Sequence, residues 1–182
     1  IVGLAVGFVC FAYSLIWLRY ERTFDSFHPN ADRIYMMYKK SPVGGDLLNH
    51  SAPYPFAAIM KERLPEVEAA TAFYIISPYC EFNQFSGSLQ MLSVDTAFMD
   101  LFDVQILEGS RNFLYSDQEV AITPSAARQL FGTEKVLGRQ LDLGEWCQKT
   151  ITALVSEWKG HSNIPYDLMT GMKLAPKNVW YV

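Results

Sequence analysis

Charge is scarce in this chain and leans acidic. Only 19% of the 182 residues are charged, with 15 basic side chains against 19 acidic ones and a formal net charge of −4. No face is basic enough to neutralise several phosphates, which argues against a nucleic-acid partner. The low charge and 50% hydrophobic content also exclude a disordered polyelectrolyte, which lacks the apolar area to offset chain entropy. Cysteine and histidine are sparse, three of each. No Cys-x-x-Cys or Cys/His spacing suggests zinc or a redox centre, so neither a metal nor a cofactor is expected. Cys10 lies in an apolar run, while Cys80 and Cys147 make either one bridge or two buried thiols, the second being favoured.

Chemical motifs are missing as well. No G-x-x-x-x-G-K-[ST] loop is present to cradle a phosphate, and no G-x-S-x-G elbow to hold a nucleophile. His28, His50 and His161 stand apart, none within an H-E-x-x-H arrangement. A triad of His161, Ser162 and Asp167 can be written on paper, but nothing marks a nucleophile held beside a base, and a polar loop is the better reading. Glu62, Glu66 and Glu68 resemble paired carboxylates, yet they fall at a helix end and the following turn, where a solvated face is expected. Phe73, Tyr74, Tyr79, Phe82 and Phe85 could line a groove for an apolar ligand; aromatics in strands more commonly fill a core or pair across strands. No catalytic residue is expected.

What the chain does have is a long uncharged start. Ile1 to Leu18 carries no charged residue, and only Gly3, Gly7 and Ser14 interrupt its apolar side chains. Eighteen residues at about 1.5 Å rise span about 27 Å, just short of a hydrocarbon core of about 30 Å. A buried core helix would keep a polar stripe, and a cleaved signal peptide would start basic and end on small residues. This run is apolar all round and leads into Trp17, Arg19 and Tyr20, an interfacial aromatic belt followed by charge. Residues 1–20 are therefore expected to form a membrane helix, and the opening Ile in place of Met leads to an expectation of further residues upstream. Residues 19–40 then hold five basic side chains against three acidic ones, leaving ten against sixteen for the remainder. That is an acidic globule behind a basic collar.

Residues 21–182 read as one α+β domain, mixed but largely antiparallel. Arg19 to Phe27 continues the helix until His28-Pro29-Asn30 breaks it. With no Gly or Pro between Phe8 and His28, the helix and this extension are expected to form one continuous lever. Ile34 to Lys39 reads as a strand, Pro53 to Leu64 as a helix, and Val67 to Ile76 and Tyr79 to Phe85 as strands. Ser86-Gly87-Ser88 suggests a hairpin tip leading into Leu89 to Val94. Thr96 to Phe102 is a short helix, Val104 to Leu107 and Glu119 to Ile122 are strands, and Thr123-Pro124-Ser125 starts a helix closed by Gly132. Leu141 to Leu143 and Lys149 to Val155 form a pair turned at Gly144.

Taken together, these blocks resemble a specific family. Glu21 to His28, followed by Asn30 to Tyr35, is similar to the segment after the first membrane helix of MacB/FtsX-like ABC transporter permeases, in the form abundant in Bacteroidetes. Gly3 to Gly7 resembles the start of that helix. Leu64-Pro65-Glu66-Val67-Glu68-Ala69-Ala70-Thr71, then Val94 to Phe102 with Leu107-Glu108-Gly109, then Ile122 to Ala127 with Leu130-Phe131-Gly132 and Leu137-Gly138, and finally His161-Ser162-Asn163 with Tyr166-Asp167, follow in the family's order. Glu157-Trp158-Lys159-Gly160 departs from it, standing where an Asp and a Pro are common.

The resemblance implies a cytoplasmic N-terminus, a membrane helix in the cell inner membrane and a MacB-like periplasmic core domain. It implies a permease without catalytic activity of its own, working with a separate ABC-type ATPase subunit and a second permease copy or paralogue. Whether a periplasmic adaptor or an outer-membrane channel joins them stays open, as does the substrate. The competing readings are a single-span anchored sensor or interaction domain, and an anchored hydrolase using His161 or His50.

Overall fold

The computed structural model describes residues 2–40, 48–49, 52, 55–82, 85–144 and 148–172. Helix α1 runs Val2–Glu21, 20 residues with none buried against the rest of the chain. By length and composition it is able to cross a membrane. Its internal polar group is satisfied within the helix, since the Ser14 hydroxyl donates to the Cys10 carbonyl at 2.8 Å.

The continuous lever does not form. α1 stops at Glu21, and the backbone bonds beyond it tighten to three-residue spacing: Thr23 N to Tyr20 O, Phe24 N to Glu21 O, Ser26 N to Thr23 O. The cause lies in side chains rather than in Gly or Pro. The Thr23 hydroxyl donates to Tyr20 O and the Ser26 hydroxyl to Thr23 O, competing for carbonyls that a longer helix would use. Asp25 then takes a left-handed conformation, φ 56°, and its amide donates to His161 O instead of along the helix.

A single 3-10 turn at Ala31–Arg33 follows. The strand expected over Ile34–Lys39 shrinks to β1, Lys39–Lys40, paired antiparallel with β2, Leu48–Asn49. Tyr35 to Tyr38 are all exposed, so no alternation ties that run to a sheet face. Helix α2 spans Phe56–Arg63. The strand expected from Val67 begins only at Phe73, as β3, Phe73–Ile76. Strands β4, Tyr79–Phe82, and β5, Phe85–Ser88, form the hairpin, but their reversal lies between Phe82 and Phe85. Ser86-Gly87-Ser88 is therefore strand rather than tip. Gly87 faces Cys80 across the ladder, and the Phe85 ring sits 3.2 Å from where a Cβ would stand.

Strand β6, Met91–Val94, is buried throughout. Asp95 caps α3, Thr96–Leu101, accepting from Phe98 N at 2.9 Å and from the Thr71 hydroxyl at 2.5 Å. The next strand, β7, is Ile106–Gly109, two residues later than expected, because Val104 N is spent closing α3 on Met99 O. Strand β8 is Glu119–Ile122, and α4, Pro124–Phe131, is capped by Thr123 and ended by Gly132 at φ 69°. Strands β9, Gln140–Asp142, and β10, Gln148–Val155, pair antiparallel. A last strand, β11, Leu168–Gly171, has no counterpart in the sequence reading.

The main sheet has the order β3-β6-β11-β8-β10-β7, with β9 beside β10. The pairs β6/β11 and β8/β10 are parallel and the rest antiparallel, so the domain is mixed α+β with a largely antiparallel sheet. Each face carries its own core. On one, α4 and the β4/β5 hairpin cover Met91, Val120, Ile122, Ile151 and Leu168. On the other, α3 and the 3-10 turn Arg111–Leu114 cover Leu92, Ala121, Ala153 and Met169. In β10, Ile151 and Ala153 share parity yet face opposite cores. The register shift between them in the β8/β10 ladder adds the one residue needed to flip the faces.

Candidate functional site

Just past α1 the chain is fastened to the domain by hydrogen bonds and ring contacts. Asp25 is its clip. Besides the bond from its own amide to His161 O at 2.9 Å, its Oδ2 accepts from Asn163 N at 3.2 Å and from Asn163 Nδ2 at 3.1 Å. Asp tolerates the left-handed region better than most residues, and these bonds hold it there. The chain just outside the helix is thereby tied to a loop more than 130 residues further on.

Aromatic rings pack around the clip. Tyr20 and Phe24 stack edge to face at 5.3 Å, and His161 lies against both, at 4.8 and 5.8 Å. Deeper in, His28 is 5% exposed and enclosed by Phe27 at 4.2 Å, Trp158 at 4.9 Å and Phe102 at 5.0 Å. Trp158 Nε1 donates to Ile164 O at 2.6 Å, and its ring meets Tyr166 edge to face at 4.9 Å. The Tyr166 hydroxyl donates to Ser156 O. Gly160 leaves room for Phe27, since a Cβ there would stand 2.8 Å from the ring. Through Phe102 and Trp158 this elbow is continuous with the core under α3.

Burial pushes the His28 imidazole below its ordinary value; Asp25 and a hydrogen bond with the Phe102 backbone work the other way without cancelling it. The neutral form of His28 is therefore favoured. Its Nε2 lies 3.7 Å from Asp25 Oδ1, too far for a hydrogen bond, and both atoms are buried without a partner.

The other residues singled out in the sequence do not converge. The Asp167 carboxylate accepts from Gln90 N at 2.8 Å and the Ser162 hydroxyl from Ile164 N at 3.0 Å, so neither serves His161 as a triad partner. Glu62 and Glu66 are exposed, and Glu68 pairs with Arg33. The aromatic stretch splits between supports: Phe73 stacks on Phe98, Phe82 on Phe131, and the exposed Tyr79 bonds to Ser86. Cys80 is a buried free thiol whose Sγ lies 3.2 Å from Asp142 O, and burial raises its pKa. His50 and Cys147 lie outside the described residues, so the bridge question does too. Among the described residues no three His, Cys, Asp or Glu side chains gather where a metal could bind.

An apolar helix clipped to a mixed α+β domain defines a class. The MacB-like periplasmic core domain matches residues 1–168, and the chain belongs to that family. A solved domain assigned to a permease from Porphyromonas gingivalis is 25% identical, with a TM-score of 0.63 over 75% of this chain and 61% of that one. The periplasmic region of MacB from Actinobacillus actinomycetemcomitans is similar at 15% identity and TM-score 0.51, covering 66% and 56%. The extracellular domain of the noncanonic ABC-type transporter YknZ from Gram-positive bacteria gives 14% and 0.53, covering 66% and 63%. The last two establish the fold. The chain thus spans less than two thirds of each of these structures. No curated protein matches it.

Proposed function

We propose that this chain is the first membrane helix and part of the periplasmic core domain of an ABC transporter permease of the MacB/FtsX type. Residues 1–20 cross the cell inner membrane and residues 21–182 stand in the periplasm. A separate ATPase subunit hydrolyses ATP in the cytoplasm, and a second permease copy or paralogue completes the assembly. The chain performs no chemistry itself. It relays movement of α1 to the domain, which moves or exports a substrate at the outer face of the membrane.

The observation carrying this reading is the family match running from the helix through β8, α4 and β10. The elbow supports the relay. With the helix ending at Glu21, motion reaches the sheet through the Asp25 clip and the Trp158 stack rather than through one stiff rod.

Affinity purification of the full-length parent in mild detergent, assayed for ATP hydrolysis, tests the assignment. An ATPase subunit is expected to co-purify near one to one. A preparation without one would favour a single-span sensor or interaction domain.

A further inference from the structure

Two cations on the last turn of α1 and just past it stand without a counter-charge. Arg19 and Arg22 are both exposed, and among the described residues no carboxylate pairs with either. Most other arginines are engaged: Arg33, Arg111 and Arg128 pair with Glu68, Asp100 and Glu134, and Arg139 lies over the Phe131 ring. Arg22 N still donates to Leu18 O at 3.2 Å, so helical spacing holds through both positions. Side chains three apart on a helix are neighbours, and like charges so placed repel unless an anion lies between them.

The pair lies on the side of the helix turned away from the domain. At about 100° per residue, Arg19 and Arg22 stand about 100° and 160° around the helix from Tyr20, whose ring rests on His161. The nearby acids do not serve them. Asp25 holds Asn163, Glu157 accepts from Ser125 N at 2.6 Å, and Glu21 is exposed without closing a pair with either arginine. Lys159, exposed on the loop that Asp25 ties down, adds a third cation at this end of the helix. Trp17 and Tyr20 set the same turn at the boundary between hydrocarbon and water, where the abundant anion is a headgroup phosphate.

We propose that Arg19 and Arg22 form a binding site for the phosphate of an anionic phospholipid where α1 leaves the bilayer, and that the bound headgroup fixes the height of the helix end beneath the elbow. This site presupposes the α1 membrane span of the function proposed above. Guanidinium groups suit it, because their planar fork donates to two phosphate oxygens at once. Under the proposed topology these arginines face the periplasm, the side where lysine and arginine are ordinarily sparse, so a local anion gives them a reason to be there. The domain behind them is acidic, with ten basic against sixteen acidic residues outside 19–40, and a cationic collar separates it from an anionic surface.

The intact chain reconstituted in phosphatidylcholine vesicles tests the site, with spin-labelled phosphatidylglycerol or phosphatidylcholine as the probe. Electron paramagnetic resonance reads the fraction of probe held at the protein. Phosphatidylglycerol should be held severalfold more strongly than phosphatidylcholine. Arg19→Gln/Arg22→Gln should bring the two close to equal. Lys61→Gln/Arg63→Gln, which removes two exposed charges from α2, should leave the preference in place. No preference in the wild type, an unchanged preference in the Arg19/Arg22 variant, or the same loss in the α2 variant would each overturn the site. Inorganic phosphate should displace no more phosphatidylglycerol than chloride does at equal ionic strength; a greater displacement would mark a free-anion site and refute the lipid. A chain that alkaline extraction strips from the vesicles would refute the membrane span and this proposal with it, whereas a chain retained without lipid preference refutes the site alone.

Discussion

Gly171→Ala is expected to cost the domain a large share of its stability. Gly171 ends β11, the strand between β6 and β8, and a Cβ there would stand 2.0 Å from Leu114 O, 2.4 Å from Leu114 C and 2.7 Å from Leu114 Cα. All three are backbone atoms of the 3-10 turn, so no side chain can swing away to make room. Overpacking a core with one extra methyl group ordinarily costs about 1–3 kcal/mol. A collision with main chain belongs at or above the top of that range, against a total of about 5–15 kcal/mol for a typical domain. The urea midpoint should fall sharply. Gly132→Ala is the control: at φ 69° it is strained, but nothing lies within 4 Å, so the loss should be about 1 kcal/mol.

Trp158→Ala should open the elbow while leaving most of the sheet intact. Its half-buried ring touches Phe27, His28, Phe102 and Tyr166, and its Nε1 satisfies Ile164 O. Removing a packed aromatic costs about 3 kcal/mol, and losing the bond to Ile164 O adds about 1 kcal/mol. Hydrogen exchange at the Asp25 and Asn163 amides should accelerate, with β8 and β10 amides close to wild type. Trp158→Phe restores the stacking but not the bond, and should recover most of the loss.

Much of the architecture was legible because it rests on local signals. The apolar run gave α1; Asp95 before α3, and Thr123-Pro124 with Gly132 around α4, are caps with a physical mechanism. The rest is decided by tertiary contacts. Leu168 to Gly171 is a strand because β6 and β8 flank it, and nothing within four residues announces that. Gly87 looked like turn chemistry, yet it is glycine in a strand because Phe85 covers it. The end of α1 leaves no local signal because two hydroxyls and a distant loop end it, with neither Gly nor Pro.

The elbow was legible only in pieces. Glu21 to His28 and His161 to Asp167 each resembled a family block, and Trp158 to Gly160 stood out as a departure from the pattern. That Asp25 clasps Asn163, and that Gly160 makes space for Phe27, is a matter of chain return over more than 130 residues. A single sequence holds no record of such a contact.

The central claim is that the elbow carries motion from the membrane helix to the domain. Its most direct test is a spin label at Gln118→Cys, an exposed position far along the chain from the elbow, in the cysteine-free full-length parent assembled with the ATPase subunit proposed above. Distances between the two permease copies would be measured with and without ATP. The account predicts an ATP-dependent change that disappears in Asp25→Ala/Asn163→Ala while ATP hydrolysis continues. The same change in the doubly substituted protein would contradict it.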